Sequence, residues 1–275
     1  MMPFQGKLYA ARPGASVFCY TPGGEWEDIG AVFHNGRSGK FGNDQIHTLG
    51  VYEGRLYLGT WPDGKVLRYE GGHDYSECGW VGIDPALKRN EINDLTTYNG
   101  KLYAGVIPKA EIWRYEGDRK WTLVRPLLNN PDFNTKVSTT WDRVPCMTVY
   151  KGRLYCGTGT CQGRGSPEFK YDVGKVFSFE AGKCVSYDED LGAEWRHIAA
   201  VREKDQLKLY IDGRLVSTST SLDAERFDLS NDRPLLIGFG QENYFNGSIR
   251  DVRLYKCALD IAQVKTIRDE APANG

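Results

Sequence analysis

The chain has 275 residues, of which 40% are hydrophobic and 26% are charged, and its formal net charge is −1. These values predict a soluble globular protein of one large or two smaller domains, with no general attraction to nucleic acid or anionic membranes. No apolar run is long enough to span a membrane. The first residues also lack the pattern of a signal peptide, so the sequence does not indicate a cellular compartment.

A short strand-like phrase recurs along the first two thirds of the chain. Its copies are GKLYAAR (6–12), GRLYLGT (54–60), GKLYAGV (100–106) and GRLYCGT (152–158). In the last three copies, the first glycine and the residue before it form a pair such as Asn99-Gly100. Such pairs favour two-residue hairpin turns, because glycine adopts positive φ without steric cost.

Each repeat contains enough alternating apolar residues and turn signals for four short antiparallel strands. The repeats lie near residues 4–45, 46–91, 92–143 and 144–192. Four-stranded units that recur every 40–50 residues are typical of the blades of a β-propeller. We therefore predict an all-β fold in which residues 1–192 form propeller blades.

The C-terminal segment, residues 193–270, has a different pattern. It contains WRHIAAVR (195–202), LKLYIDG (207–213) and FNGSIRDVRLY (245–255). These stretches resemble the latter half of a laminin-G or concanavalin A-like lectin domain, a jelly-roll sandwich. The whole chain resembles bacterial proteins in which kelch-like blades run into such an ending. After it, ALDIAQVKTIRDE (258–270) has the apolar spacing of a short amphipathic helix.

Two architectures fit these patterns. In the first, strands from 195 onward form a fifth blade, and IRDVRLYK (249–256) supplies the strand that the first repeat lacks before its phrase. Pairing the two ends of the chain in this way closes a five-bladed propeller and removes its open edges. The alternative is a four-bladed or open propeller followed by a partial lectin-like sandwich.

Polar residues precede the first strand of several repeats, where the loops of a propeller converge on its channel. Carboxylate and amide oxygens suit sugar hydroxyls or a hard cation such as Ca²⁺, the one cofactor that we consider. An exposed tryptophan can stack on the apolar face of a sugar. The same residues can instead cap strand ends. The candidate ligand-binding residues are Asp44, His47, Trp61, Glu91, Asn93, Asp94, Trp141, Asp142, Glu194 and Arg196.

The sequence favours a non-catalytic binding protein that recognises a glycan on the channel face. It contains no GxSxG, P-loop or HExxH motif. One alternative is a glycoside-processing enzyme that uses channel carboxylates such as Asp44, Asp94 and Asp142. The other is a scaffold that binds a second protein. We expect neither nucleic acid nor a membrane as a partner.

The seven cysteines form no zinc-binding pattern. Most are expected to be small buried thiols. Cys156 and Cys161 are close enough in CGTGTC to form a loop disulfide or a weak metal site, and the sequence leaves this open.

Overall fold

A computed structural model describes residues 1–12, 14–31, 45–82, 90–128, 140–162, 174–228 and 230–270. These residues divide into two compact units. The first unit comprises Met1–Thr148, Tyr155–Ser178 and Phe239–Tyr244. The second unit comprises Val149–Leu154, Phe179–Gly238 and Phe245–Gly275. The regular secondary structure of the described residues is almost entirely β, in antiparallel sheets of three or four strands, as the sequence predicts.

Four sheets follow one another along the first two thirds of the chain. The first sheet contains β1 (Met2–Phe4), β2 (Lys7–Arg12), β3 (Ser16–Tyr20) and β4 (Trp26–Ala31). The second sheet contains β5 (Gln45–Tyr52), β6 (Arg55–Trp61), β7 (Lys65–Gly71) and β8 (Asp74–Trp80). The third sheet contains β9 (Glu91–Tyr98), β10 (Lys101–Ile107), β11 (Glu111–Gly117) and β12 (Lys120–Pro126). The fourth sheet contains β13 (Thr140–Tyr150), β14 (Arg153–Gln162) and β15 (Val176–Phe179).

The predicted hairpin turns are confirmed. At Glu53-Gly54 both residues have positive φ, 47° and 67°, and the pair at Asn99-Gly100 has 47° and 73°. Positive φ at both central residues defines the hairpin turn whose twist matches that of the flanking strands. The recurring phrase is the second strand of each of the four sheets, β2, β6, β10 and β14.

The predicted closure of the propeller by the C-terminal strand is wrong. The strand that precedes the first copy of the phrase is β1, which pairs with β2 through Met2↔Tyr9 and Phe4↔Lys7. Residues 249–256, which were expected to supply that strand, form no strand. The edge of β2 is therefore already occupied by the N-terminus of the chain, and the described residues show no closed propeller.

Successive sheets in the first unit pack face to face. Leu56 and Leu58 of the second sheet are fully buried in a cluster with Tyr9 and Val17 of the first sheet. A second cluster joins the second and third sheets in the same way. A single sheet cannot bury the apolar side chains of its own faces, and contact with the neighbouring sheet buries them.

A repeated loop contact links each sheet to the start of the next. Pro62 and Pro108, both preceded by a cis peptide bond, lie at equivalent positions after the second strand of their sheets. The carbonyl of Pro62 accepts a hydrogen bond from Asn90 N at 3.1 Å, and that of Pro108 accepts one from Asp142 N at 3.0 Å. Because the groups at these loops are buried, such bonds satisfy backbone atoms that water cannot reach.

The second unit contains one three-stranded sheet and the predicted helix. The sheet is formed by β16 (Ile198–Glu203), β17 (Gln206–Ile211) and β18 (Arg214–Thr218), and the helix α1 spans Ile261–Glu270. Asp260 caps the helix, since its carboxylate accepts a hydrogen bond from Gln263 N at 2.8 Å.

The core of the second unit is small. Val264 of α1 is fully buried and packs with Val201 and Tyr210 of the sheet. The stretch 234–238 and residues 249–256 form no strand, and apolar side chains in them such as Leu235 and Leu254 are 70% and 83% exposed. A strand needs a partner edge, and these segments pair with no strand in the described part of this unit.

Candidate functional site

Three of the predicted site residues meet across two sheets of the first unit. His47 lies on β5, and Glu91 and Asn93 lie at the start of β9. His47 Nδ1 is 2.9 Å from Glu91 Oε1, and Asn93 Nδ2 donates a hydrogen bond to the same oxygen. Glu91 is only 7% exposed, whereas the side chain of His47 is 28% exposed. We call these three residues the channel-edge cluster, after the channel that the sequence predicts, and they place one imidazole where a ligand can reach it.

Asp94 lies on the same strand, but its carboxylate is engaged by backbone groups. Oδ1 accepts a hydrogen bond from Leu95 N at 2.9 Å, and Oδ2 accepts one from Met147 N at 2.5 Å and one from Thr96 Oγ1 at 3.3 Å. Burial raises the pKa of Asp94 above its usual value, although these hydrogen bonds act to lower it. The residue joins the third sheet to β13.

Asp142 is fully buried at the start of β13. Thr160 Oγ1 donates to its Oδ1 at 2.7 Å, and its backbone carbonyl accepts a hydrogen bond from Ala110 N at 3.0 Å. The same position in the third repeat is Asn90, which is also fully buried. In both repeats this residue anchors the first strand of a sheet.

The remaining predicted residues lie apart from the channel-edge cluster. Trp61 ends β6 and Trp141 lies near the start of β13, and both are half-buried. Glu194 is exposed and belongs to the second unit, as does Arg196. Asp44 lies outside the described residues, and so does the side chain of Cys161. Cys156 is buried, and burial raises the pKa of its thiol to about 12.

A cleft of about 890 Å³ lies in the second unit, and of the predicted residues only Arg196 lines it. The cleft surrounds the turn between β17 and β18 and is mostly polar, with two tyrosine side chains. Its lining comprises Tyr150, Lys151, Ser186, Tyr187, Asp188, Glu189, Arg196, Ile211, Asp212, Arg214, Val216, Ser217, Thr218 and Arg268.

Asp212 holds the wall of this cleft together. Its Oδ2 is 2.8 Å from Arg196 Nη1, and its Oδ1 accepts a hydrogen bond from His197 N at 3.0 Å. Arg268 Nη1, on α1, donates to the Asp212 carbonyl at 2.9 Å. Partial burial acts to raise the pKa of Asp212, but the hydrogen bonds from His197 N and Arg196 outweigh it, so that the pKa is lowered.

Other polar groups of the cleft make few contacts with one another. Tyr187 Oη donates to Glu189 at 3.3 Å, and Asp188 accepts a hydrogen bond from Lys151 N at 3.0 Å. Arg214 is exposed and makes no ion pair with any described residue. Its guanidinium therefore remains available to a ligand.

A smaller apolar pocket of about 360 Å³ adjoins the cleft and shares Tyr187, Glu189 and Ile211 with it. Leu191, Ile198 and Leu209 complete its apolar surface. The two cavities together offer a polar surface beside an apolar one.

Sequence reasoning missed most of these residues. The Asp212-Gly213 pair has the composition of a hairpin turn, but nothing in the local pattern shows that SYDE (186–189) and the Lys151 turn face it. The one tyrosine and three acidic residues of SYDED (186–190) were the only signal. Across the described ranges, no three His, Cys, Asp or Glu side chains converge to hold a metal ion. No helix in that part of the chain is long and apolar enough to cross a membrane.

Comparison with known families bears on the segment that contains this cleft. Residues 147–265 match the concanavalin A-like lectin/glucanases superfamily. The match covers less than half of the chain, and it begins well before residue 193, where the resemblance was recognised. It confirms the lectin-like resemblance of the C-terminal segment.

Comparison with individual proteins adds little. No curated protein matches the chain. Among solved structures, an S-layer domain-containing protein from Clostridium thermocellum is 17% identical, and the alignment covers 96% of this chain and 99% of that one. The TM-score is 0.27, so this likeness carries no structural argument.

Proposed function

We propose that this protein binds carbohydrate without catalysing a reaction, and that the ligand occupies the cleft of the second unit. The observation that carries the proposal is the cleft itself, which combines an exposed and a half-buried tyrosine side chain with charged and hydroxyl groups in a lectin-like segment. Sugars present both apolar ring faces and hydroxyl groups, and sites of this composition suit them.

The residues of the cleft divide into two roles under this proposal. Tyr187 and Tyr150 offer aromatic faces to a sugar ring. Arg214, Asp188 and Ser217 offer donors and acceptors to its hydroxyl groups. The Arg196–Asp212 pair holds the wall that carries them.

We also propose that the four sheets of the first unit are successive blades of a propeller-like array. Their equivalent turns, repeated loop contacts and face-to-face packing support this assignment. The channel-edge cluster is then a second candidate site for the same function. The contact between His47 and Glu91, which joins two blades, favours it.

The test is a glycan array followed by calorimetric titration of the glycans that bind. We expect Arg214→Ala and Tyr187→Ala to weaken binding at least tenfold. The matched control is Arg226→Ala, an exposed arginine of the same unit outside the cleft, which should leave affinity unchanged. Titrations with Ca²⁺ and with a chelator establish whether the ion contributes.

The outcomes separate the two candidate sites. If His47→Ala weakens binding and Arg214→Ala does not, the ligand lies at the channel-edge cluster. Absence of binding to every glycan, with folded protein, would leave protein binding as the function. Hydrolysis of a bound glycan would contradict the non-catalytic assignment.

A further inference from the structure

The sheets of the first unit use two opposite faces for packing, and the repeat makes these faces comparable. We call the face that receives the next sheet the back face, and the face that lies on the preceding sheet the front face. Val17, Val66 and Ile112 occupy the same back-face position in the first three sheets, and each is fully buried. In the fourth sheet this position is Val176, which is 77% exposed.

The position of Val176 follows from its neighbours. In the second sheet, Thr60 Oγ1 accepts a hydrogen bond from Lys65 N at 3.0 Å, and Val66 comes next. In the fourth sheet, Thr158 Oγ1 accepts one from Lys175 N at 3.0 Å, also just before the valine. The two valines are therefore structurally equivalent, and only the covering sheet differs.

The glycines of the second strands give independent support. A Cβ at Gly59 would lie 2.6 Å from Ile92 of the next sheet, and one at Gly105 would lie 2.9 Å from Val144 Cβ of the next sheet. Among the described residues, a Cβ at Gly157 would meet only Cys146 of its own sheet. The space that a following sheet fills elsewhere is not filled by any described residue here.

The front face of the first sheet is also uncovered, since no sheet of the described residues precedes it. In the second and third sheets, Tyr75 Oη donates to the Ile29 carbonyl at 3.2 Å and Trp121 Nε1 donates to the Cys78 carbonyl at 2.8 Å. Both acceptors lie on the preceding sheet. The equivalent residue of the first sheet is Trp26, which is 46% exposed.

Other side chains of this front face show the same difference. Leu8 of the first sheet is half-buried, whereas the equivalent Leu56 and Leu102 are fully buried. Phe18 and Tyr20, opposite Ala10 and Leu8 on β2, are also half-buried. The face is apolar and aromatic, with the composition of its buried counterparts.

We infer that the front face of the first sheet binds the back face of the fourth sheet of a second copy of this chain. Successive sheets within the chain already pack a front face on a back face. The chain also carries one open face of each kind. Repetition of that interface between copies buries both open faces with contacts the fold already uses. Such a head-to-tail interface is heterologous and therefore builds closed rings or open filaments.

The second copy is the occupant that the internal interface specifies. A preceding sheet must place a carbonyl under Trp26, as Ile29 and Cys78 do under the equivalent aromatic residues. A following sheet must place an apolar first strand over Val176 and Gly157, as β9 does over Val66 and Gly59. The chain's own sheets have this form.

The experiment uses two variants of the full chain, each with one blocked face. Trp26→Lys blocks the front face, and Val176→Lys blocks the back face. We expect the wild-type chain to show a concentration-dependent mass above that of the monomer in sedimentation velocity. Each variant alone should remain monomeric, and an equimolar mixture should form a species of about twice the monomer mass. Only a heterologous interface gives this rescue, because each variant keeps the face that the other lacks.

Matched controls decide between the remaining outcomes. Leu254→Lys replaces a leucine of the second unit that is about as exposed as Val176, and it should leave the association unchanged. Leu8→Lys replaces Trp26→Lys if the latter does not fold by circular dichroism. A wild-type chain that stays monomeric overturns the inference and indicates that something else covers both faces. The inference also fails if Leu254→Lys abolishes association, or if the mixed variants remain monomeric.

Discussion

Asp212 is the residue on which the geometry of the proposed sugar site depends most. Its side chain fixes Arg196 and the backbone of His197, and its own carbonyl receives Arg268 from the helix. Its φ of 50° lies in the left-handed region, where Asp and Asn are the best tolerated side chains after glycine. Asp212→Asn therefore keeps the turn and removes the charge together with one of the two acceptor oxygens.

The pH dependence of sugar binding should report this residue. Because the pKa of Asp212 is lowered, its carboxylate stays ionised at and above the ordinary value of about 3.9 and is protonated only below it. The pair with Arg196 is thus present at neutral pH and is lost as pH falls through the lowered pKa. We expect wild-type affinity to be constant from pH 7 to about pH 4 and to fall below it.

Asp212→Asn isolates this contribution. The exposed ion pair is weak, so the variant should bind about two- to fivefold less tightly at pH 7. Any loss of affinity that the variant shows below pH 4 belongs to groups other than Asp212. An acid transition of the same size in both proteins would mean that Asp212 does not organise the site.

At the scale of the strand pair, the close approach of β6 and β9 requires a glycine at position 59, because glycine has no side chain. A Cβ at Gly59 would lie 2.6 Å from both Cβ and Cγ2 of Ile92 and 2.7 Å from Thr48 Cγ2. Gly59→Ala must push the sheets apart, and overpacking of this kind costs about 1–3 kcal/mol. Urea denaturation of the variant measures the loss of unfolding free energy.

Gly157→Ala is the matched control, since it changes the equivalent glycine of the fourth sheet. Its new methyl group would meet only the Cys146 side chain, at 3.0 Å, which can rotate away. We expect a change within about 0.5 kcal/mol. Equal destabilisation by the two substitutions would contradict the packing described for the second and third sheets.

The strands of the first unit could largely be predicted from sequence, because their signals are local. Turn pairs such as Asn99-Gly100 and the alternation around them fix both the hairpin and its register. The short strand β1 was missed because three residues, MPF, carry no periodicity. Residues 249–256 have a clear strand pattern but form no strand, because pairing depends on an edge that local sequence does not specify.

The candidate sites were harder to predict for the same reason. His47 and Asn93, which occupy the same position in neighbouring repeats, both contact Glu91. No repeat relates Lys151, Tyr187 and Arg214, whose proximity depends on how three separate segments of the second unit fold together. Repetition in a sequence indicates contacts between equivalent positions of the repeats. It does not indicate contacts between positions that occur once.

For the whole molecule, the unequal cores of the two units predict unequal stability. Within the described ranges, the first unit has two extended clusters between its sheets, whereas the second has a cluster of three buried residues. Because apolar burial is the main stabilising contribution to folding, we expect the second unit to unfold at lower urea concentration. Trp195 is the single tryptophan of that unit, so the fluorescence difference between the wild-type protein and Trp195→Phe follows its unfolding.

A pair of equivalent substitutions tests whether each core belongs to its own unit. Val264 and Val66 are both fully buried, the first beside the sheet of the second unit and the second between two sheets of the first. Replacement by alanine removes the same two methyl groups and should cost about 2 kcal/mol in each case. Val264→Ala should shift only the transition that Trp195 reports, and Val66→Ala only the transition of the remaining tryptophans. If either substitution moves both transitions equally, the two units fold as one, and the cleft of the second unit depends on the sheets of the first for its stability.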